Sequence, residues 1–273
     1  MLIGNRDFDS NHTHIMGILN VTPDSFSDGG RFNGRENALR HALSMIEDGA
    51  EIIDVGGEST RPGYTMISED EEIERVCPII ELLKRETDVP VSLDTYKSGV
   101  ALAGIKAGAD MINDIWGLKF DSEMAGVIAA SKLPCCLMHN RDSVKSPYTD
   151  FLSDMLSDMR RTLEIAANAG ITRDRIILDP GVGFGKSYEQ NLQAIKYLDS
   201  LACLGYPVLL GTSRKSVIGL TLDLPSDERV EGTVATSVIA AMLHCMFVRV
   251  HDVKENYRAV RMAEAVLNAD GSE

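Results

Sequence analysis

The sequence lacks an excess of positive charge. Its 27 Lys and Arg residues stand against 41 Asp and Glu residues, which gives a formal net charge of −14 at pH 7. Nucleic acids and anionic membrane surfaces attract proteins through a basic face, so we expect neither as a partner. The chain also lacks any apolar run of about 18 residues, the length that a membrane-spanning helix needs.

Cysteine is scarce and scattered. The chain has five cysteines with no Cys-x-x-Cys pair among them. They are Cys77, Cys135, Cys136, Cys203 and Cys245. This spacing does not favour a zinc site and is typical of reduced thiols in a cytoplasmic protein. The polar segment Met1–His14 has no basic region followed by an apolar one, so we expect no secretory signal.

Aromatic residues make up only 5% of the chain, with one Trp. Carbohydrate sites usually stack their substrate on aromatic rings, so a glycoside hydrolase that uses Asp94 and Asp179 is disfavoured. The chain has no G-x-S-x-G motif, and no cysteine has an obvious histidine partner, so no nucleophilic triad is expected. The glycines of Gly181–Lys186 are spaced G-x-G-x-G, which indicates a tight turn and not a nucleotide-binding loop.

The sequence has eight short apolar runs, each followed by a loop and a helical pattern. They are Ile15–Leu19, Ile52–Val55, Val91–Leu93, Met111–Ile112, Cys135–Met138, Ile176–Leu178, Val208–Leu210 and Phe247–Val250. Continuous apolar runs are typical of buried parallel strands. The pattern predicts an α/β fold, a TIM (β/α)8 barrel formed as a single domain over residues 1–273, with a doubly wound open sheet as the alternative. The ordered barrel is expected over about residues 14–268, between short polar tails.

Apolar residues spaced three and four apart predict helices around Ile73–Leu83, Leu152–Ala166 and Val260–Leu267. Pro78 should kink the first of these helices or mark an early boundary. Two long polar stretches, Asn20–Gly34 and Gly56–Ser68, are expected to be binding loops.

Polar side chains follow each predicted strand. They are Asn20, Asp54, Glu58, Asp94, Asn113, His139, Asp179, Ser213, Arg214, Lys215, Arg249 and His251. The carboxyl ends of barrel strands meet on one face, where the active sites of this architecture lie.

The last strand places an arginine and a histidine on one side. Arg249 and His251 are two residues apart, so both point inward while Val250 points away. A buried arginine needs an anionic partner. A phosphate-type ligand would suit a guanidinium and an imidazole, and an ion pair with a nearby acidic residue is the alternative.

Seven segments at or near these strand ends resemble one family. They are Gly17–Gly30 (GILNVTPDSFSDGG), Asp54–Gly63 (DVGGESTRPG), Val91–Lys97 (VSLDTYK), Ile112–Ile115 (INDI), Ile177–Lys186 (ILDPGVGFGK), Gly211–Ser216 (GTSRKS) and Arg249–Val253 (RVHDV). By these motifs and their order, the chain resembles the dihydropteroate synthase family of pterin-binding barrels. The resemblance implies that p-aminobenzoate is joined to (7,8-dihydropterin-6-yl)methyl diphosphate, giving 7,8-dihydropteroate and diphosphate in folate biosynthesis.

The resemblance also implies a role for each matched residue. The pterin would contact Asp94, Asn113, Asp179 and Lys215, with Met138 packed beneath it. The diphosphate would meet Arg61, Arg249 and His251, with Mg²⁺ held by Asn20. The p-aminobenzoate and the ring edge would lie against Thr60, Pro62, Phe184 and Ser216, and Gly211 and Val250 complete the substrate-binding set. The catalytic group would consist of Asp94, Lys215, Arg249, Asp28 and Arg61. The loops that carry Asp28 and Arg61 would close over the reactants and exclude water.

One segment departs from the family pattern. Where the family reads Met-His-Met-x-Gly, this chain reads Met138–Ser143 (MHNRDS). A structural and a functional role for His139 remain open. Two alternatives for the whole chain are a related barrel that transfers a methyl group from methyltetrahydrofolate and a non-catalytic pterin-binding paralogue. The family is typically homodimeric, and the apolar stretch Val234–Met246 could form an interface or a helix buried against the barrel.

Overall fold

The computed structural model describes residues 1–21, 30–58 and 65–269. Ten strands lie in this part of the chain. They are β1 (Leu2–Ile3), β2 (Arg6–Asp7), β3 (His14–Asn20), β4 (Ile52–Gly56), β5 (Val91–Asp94), β6 (Met111–Asp114), β7 (Cys135–Met138), β8 (Ile176–Asp179), β9 (Leu209–Leu210) and β10 (Phe247–Val250). All eight predicted strands are therefore confirmed, with shifts of one residue at several ends and of two residues at the end of β6.

The eight strands β3 to β10 form a parallel sheet in the order β8-β7-β6-β5-β4-β3-β10-β9. A parallel bridge between Leu178 and Val208 joins β8 to β9, and the Leu178 amide donates to the Pro207 carbonyl at 2.9 Å. These contacts bring the two ends of the sheet together. The single-domain barrel is confirmed, and the open-sheet alternative is wrong.

Helices follow the barrel strands and cover its outside. In the described residues they are α1 (Gly30–Glu47), α2 (Glu69–Glu86), α3 (Ser98–Ala107), α4 (Met124–Ser131), α5 (Phe151–Asn168), α6 (Tyr188–Lys196), α7 (Leu198–Ala202), α8 (Ser216–Leu222), α9 (Val230–Met242) and α10 (Val253–Leu267). The three helices predicted from apolar spacing correspond to α2, α5 and α10.

Two predicted boundaries differ from the structure. Helix α2 continues through Pro78, so an early boundary there is wrong; its first turn is capped by Ser68, whose Oγ accepts from the Glu71 amide at 3.2 Å. Helix α1 begins at Gly30, so the polar stretch predicted to run to Gly34 ends earlier.

Alternation along the strands separates two apolar layers. Val248 and Val250 of β10 pack in the layer between barrel and helices, whereas Phe247 packs inside the barrel. Residues that pair in register on adjacent strands point to the same face of the sheet. The alternation therefore also determines which polar side chains at the strand ends face the inside of the barrel.

The first residues of the chain fold under the barrel instead of forming a polar tail. Strands β1 and β2 pair antiparallel, and Ile3 and Phe8 are almost fully buried in the inner apolar layer. The Phe8 ring lies 5.6 Å from that of Phe247. The prediction of a polar tail over residues 1–13 is therefore wrong, because Ile3 and Phe8 pack into the inner apolar layer.

Within the described residues, every helix is too short or too polar to cross a membrane.

Candidate active site

The inward side chains at the carboxyl ends of the barrel strands converge on one region, which we call the barrel mouth. It contains Asn20, Asp54, Asp94, Asn113, Met138, Asp179, Gly211 and Arg249. Side chains of a strand alternate between its two faces, so residues an even number of positions apart face the same side. Seven of these residues lie two or four positions from an inner-layer residue of the same strand. The eighth, Asp94, pairs in register with the inward-facing Asn113. All but Asp54 belong to the predicted site.

Arg249 is held by two carboxylates at the barrel mouth. Its Nε donates to Asp54 Oδ2 and its Nη2 donates to Asp94 Oδ2, each at 2.6 Å. Asn113 donates its Nδ2 to the same Asp54 oxygen at 3.2 Å. The structure thus contains the ion pair that the alternative interpretation of Arg249 describes, and the phosphate-type ligand stays a prediction. Among the described residues, its Nη1 has no hydrogen-bond partner.

Burial shifts the pKa of Asp94. Desolvation raises the pKa of its carboxyl group to about 7, although the neighbouring Arg249 guanidinium opposes the rise. Asp54 is fully buried, and its Oδ1 has no hydrogen-bond partner in the described part of the chain. An acceptor left unpaired in this way is costly and points to a donor that the mouth is built to receive.

Asp179 and Lys215 flank a gap left by Gly211. A Cβ at Gly211 would lie 3.7 Å from Asp179 Oδ2 and 3.8 Å from Lys215 Nζ, in ordinary van der Waals contact with both. Lys215 donates to the Val182 carbonyl at 2.6 Å, and its Nζ lies 4.8 Å from the centre of the Phe184 ring. Burial lowers the pKa of Lys215 to about 8, although Asp179 opposes the change. Burial raises the pKa of Asp179 against the opposing charge of Lys215.

The glycine-rich segment after β8 is a tight turn, as predicted. Gly181, Gly183 and Gly185 all have positive φ, which favours glycine. Lys186 closes the turn by donating its Nζ to the carbonyls of Gly181 at 2.7 Å and Phe184 at 3.0 Å. The turn keeps Asp179, which accepts from the Gly181 amide at 2.6 Å, at the barrel mouth.

The segment that departs from the family pattern forms its own ion-pair network. The buried His139 contacts Asp158 Oδ2 through Nε2 at 3.1 Å, and Arg141 donates its Nε to the same oxygen at 2.8 Å. Arg141 also lies over the Tyr148 ring. Burial lowers the pKa of His139 to about 3, against the opposing effect of Asp158. These contacts favour a structural role for His139.

A small apolar cluster borders the mouth. Tyr96, Ile115 and Met138 are buried together, with Trp116 and Phe184 packed partly against them. Of these, only Met138 and Phe184 were predicted from the sequence. Aromatic and thioether groups of this kind suit a planar ring.

His251 follows β10 at the mouth, where the Ser213 Oγ lies 2.9 Å from its Nδ1 and accepts from its backbone amide at 3.0 Å. Ser216 is exposed at the start of α8. The Val250 side chain packs in the outer layer, as the alternation along β10 predicts, and the place of Val250 in the substrate-binding set stays a prediction. Asp28, Thr60, Arg61 and Pro62 lie outside the described residues.

The surroundings of Asn20 fit a magnesium ion. A Cβ at Gly56 would lie 3.7 Å from Asn20 Oδ1 and 3.8 Å from Asp94 Oδ2, so the glycine leaves a space between two oxygen atoms. Mg²⁺ prefers such oxygen ligands and often takes few from the protein. Asn20 is exposed at the end of β3, where further ligands could come from a substrate.

Asp54 was not among the site residues predicted from the sequence, although it lies at the end of a predicted strand. Its position two residues after the inward Ile52 was the signal that it faces the interior. Tyr96 and Trp116 were missed because they lie beyond their strands, where no periodicity indicates direction.

Comparison with known proteins gives consistent results. A family model described as "Pterin binding enzyme" matches residues 16–251. The chain is 57% identical over 269 residues to a dihydropteroate synthase of Clostridium beijerinckii, covering 98% of this chain and 99% of the relative.

Two solved structures are similar over nearly the whole chain. A dihydropteroate synthase from Clostridium difficile, solved in the presence of pteroic acid, matches with a TM-score of 0.92 and 49% identity, covering 97% of this chain and 100% of that one. A dihydropteroate synthase of Xanthomonas albilineans with 4-aminobenzoic acid also has a TM-score of 0.92, with 40% identity and 97% of each chain covered.

Proposed function

The chain belongs to the dihydropteroate synthase family and is a transferase, and we propose that it joins p-aminobenzoate to (7,8-dihydropterin-6-yl)methyl diphosphate at the barrel mouth. The observation that carries this assignment is the gap at Gly211, which is bordered by Asp179, Lys215 and Arg249. In the proposed reaction the bond from the pterin methylene carbon to the diphosphate oxygen breaks, and a bond from that carbon to the aniline nitrogen forms. The aniline nitrogen then loses a proton, and no covalent enzyme intermediate is needed.

The buried carboxylates bind and orient the pterin. A pterin presents a guanidine-like edge of N–H donors, which a carboxylate can accept in bidentate fashion. Asp179 and Asp94 supply carboxylates, and Lys215 supplies a donor to the acceptor atoms of the ring. Asn113 and Asp54 hold each other and Arg249 in place around this pocket. Positioning of this kind accounts for a large part of the rate when a reaction needs no nucleophile from the protein.

The leaving diphosphate is stabilised by cations at the rim. Arg249 offers its Nη1, and His251 is oriented by Ser213. Three carboxylates at the mouth outnumber its two described cations, Lys215 and Arg249. Binding a diphosphate therefore needs further positive charge, which we assign to Arg61 and to Mg²⁺ held by Asn20. When bound, Mg²⁺ would neutralise charge that develops on the diphosphate.

The second substrate and the loops complete the proposed site. Thr60, Pro62, Phe184 and Ser216 would contact p-aminobenzoate, with Gly211 leaving room for the ring. Met138 would pack beneath the pterin. The loops that carry Asp28 and Arg61 would exclude water, which could otherwise capture the electrophilic carbon in place of the aniline.

Substitution of Asp179 and Arg249 tests this assignment. Asp179→Asn keeps an acceptor for the Gly181 amide but loses the charge, so pterin affinity measured by calorimetry should fall at least about tenfold. Arg249→Ala should lower turnover by about 10²–10³-fold through loss of one donor to the diphosphate. Arg160→Ala, on the exposed face of α5, is the matched control and should change neither quantity. Wild-type pterin binding in Asp179→Asn would contradict the pocket assignment.

We further propose that the chain forms a homodimer in the cytoplasm. The neighbouring helices α9 and α10 leave Ile239, Met242, Met262 and Val266 between 40% and 64% exposed, and such clusters are typical of interfaces. All five cysteines are free, which suits a reducing compartment.

A further inference from the structure

A cluster of potential metal ligands lies at the amino-terminal end of the barrel, which we call the base cluster (Asp9, His12 and His14). One ligand atom from each residue lies within 4.8 Å of the other two. His14 begins β3 and Asn20 ends it, so about 20 Å of strand separates the base cluster from the barrel mouth. The proposed magnesium position and the base cluster are therefore distinct.

The distances suit coordination better than hydrogen bonding. His12 Nδ1 lies 3.4 Å from Asp9 Oδ1, which is long for a charge-assisted hydrogen bond. Two ligand atoms about 2.1 Å from a tetrahedral metal ion lie about 3.4 Å apart. The His12 and His14 rings lie side by side, with their centres 4.2 Å apart.

His14 is oriented as metal-ligating histidines usually are. Its Nδ1 lies 2.7 Å from Glu51 Oε2, and the second Glu51 oxygen accepts from Arg261 at 3.3 Å. A metal-bound imidazole commonly donates its other N–H to a carboxylate, which fixes the tautomer and the ring orientation. Glu51 therefore directs Nε2 of the buried His14 toward Asp9 and His12.

A cation also resolves a conflict at His14. Its Nδ1 faces a carboxylate, while its Nε2 lies 3.0 Å from the Asp9 carbonyl oxygen. A neutral imidazole has one N–H and cannot donate to both acceptors. A metal ion at Nε2 removes the need for a second N–H and leaves Nδ1 to donate to Glu51.

We propose that the base cluster binds one divalent cation of the zinc class through Asp9, His12 and Nε2 of His14. Two imidazoles and one carboxylate are the ligand types that Zn²⁺ takes at sites with three protein ligands, where the fourth position stays open. The site is accessible, since Asp9 is exposed and the His12 side chain is 35% exposed. The cation would join the segment after β2 to the start of β3 and so hold the amino-terminal hairpin under the barrel.

Calorimetry with ZnCl₂ tests this proposal on the full chain, freed of metal with a chelator and carrying no histidine tag. The wild-type protein should bind one Zn²⁺ and show a higher Tm when it is bound. His12→Ala should weaken binding at least about tenfold, and Glu51→Gln about 10–100-fold through the lost orientation of His14. His41→Ala, an exposed histidine on α1, is the matched control and should bind normally.

Two results would overturn the proposal. If the wild-type protein binds no Zn²⁺, the base cluster is not a metal site. If binding is equal in the wild-type protein and in His12→Ala, the ion sits elsewhere on the surface. His12 is partly exposed, so its removal should not unfold the protein, and turnover without added zinc should stay unchanged. Because turnover is measured separately, failure of the zinc proposal can be distinguished from failure of the proposed reaction.

Discussion

At the scale of single residues, the barrel mouth is organised around one guanidinium between two carboxylates. Arg249 reaches Asp54 and Asp94 at 2.6 Å each, and all three side chains are largely buried. Removing one partner of such a group leaves an uncompensated buried charge, which is strongly destabilising. The burial of each of these three side chains therefore depends on the other two.

The pKa values of two pocket residues predict how pterin affinity depends on pH. Asp94, with a pKa raised to about 7 by burial, must lose its proton to act as a charged acceptor, so affinity should rise with pH up to about 7. Lys215, with a pKa lowered to about 8 by burial, loses its charge above that value, so affinity should fall again. Each limb should change affinity by up to about tenfold per pH unit.

Calorimetric titration of the pterin substrate from about pH 5.5 to about pH 9.5 would measure this profile. Asp94→Asn should bind more weakly and lack the acidic limb, which separates Asp94 from other titrating groups. A flat profile in the wild-type protein would show that neither group changes its charge in this range.

At the scale of elements, the turn after β8 depends on its glycines. Gly181 has a φ of +67°, and a Cβ there would overlap the His139 carbonyl oxygen. The backbone of the turn thus packs directly against the backbone of His139, the residue that follows β7. This packing positions Asp179 and Phe184, which lie on either side of Gly181 in the chain.

Gly181→Ala should lower the free energy of unfolding by about 1–3 kcal/mol, because the residue must adopt a strained backbone in a crowded place. Urea denaturation measures this effect, and pterin affinity should fall as well. Gly126→Ala in α4 is the control, since a Cβ there has open space and alanine should add about 0.5–1 kcal/mol of stability. Equal stability of the two variants would contradict the account of the turn.

The eight barrel strands could be predicted from the sequence, whereas the amino-terminal hairpin of β1 and β2 could not. A buried parallel strand such as Cys135–Met138 is apolar along its length, so its pattern is visible without any other information. Strands β1 and β2 have two residues each, too few for any periodicity. The burial of Ile3 and Phe8 depends on the open end of a barrel, which only the tertiary structure creates.

The same limit applies at the site. Asp94, Asn113, Asp179 and Arg249 were predictable because strand alternation and barrel topology place them together. The pairing of Arg249 with two carboxylates was not, since Asp54 and Asp94 come from strands distant in sequence from β10. Distances across a barrel interior depend on packing that no local pattern contains.

At the scale of the whole molecule, the acidic excess that gives a net charge of −14 extends to the described residues of the mouth, where Asp54, Asp94 and Asp179 outnumber Lys215 and Arg249. The apolar stretch Val234–Met246, for which the sequence left open an interface or a helix buried against the barrel, lies mostly in α9 and has one buried and one exposed face. Ala240 and Ala241 of α9 are buried, whereas Ile239 and Met242 are exposed.

Light scattering coupled to gel filtration tests the proposed dimer. The double variant Met242→Glu with Val266→Glu should shift the protein toward the mass of a monomer, because two charges would be buried in each half of the interface. Val144→Glu, at a side chain that is 91% exposed elsewhere, should leave the mass unchanged. A wild-type protein that is monomeric at all concentrations would contradict the proposal.

We propose above all that the barrel mouth transfers the pterinylmethyl group to an arylamine. The most direct test incubates the purified protein with Mg²⁺ and the pterin diphosphate, and measures diphosphate release and dihydropteroate. We predict that dihydropteroate forms only when p-aminobenzoate is added, in equal amount to the diphosphate released, and that sulfonamides compete with p-aminobenzoate. Tight pterin binding without dihydropteroate formation would contradict the account.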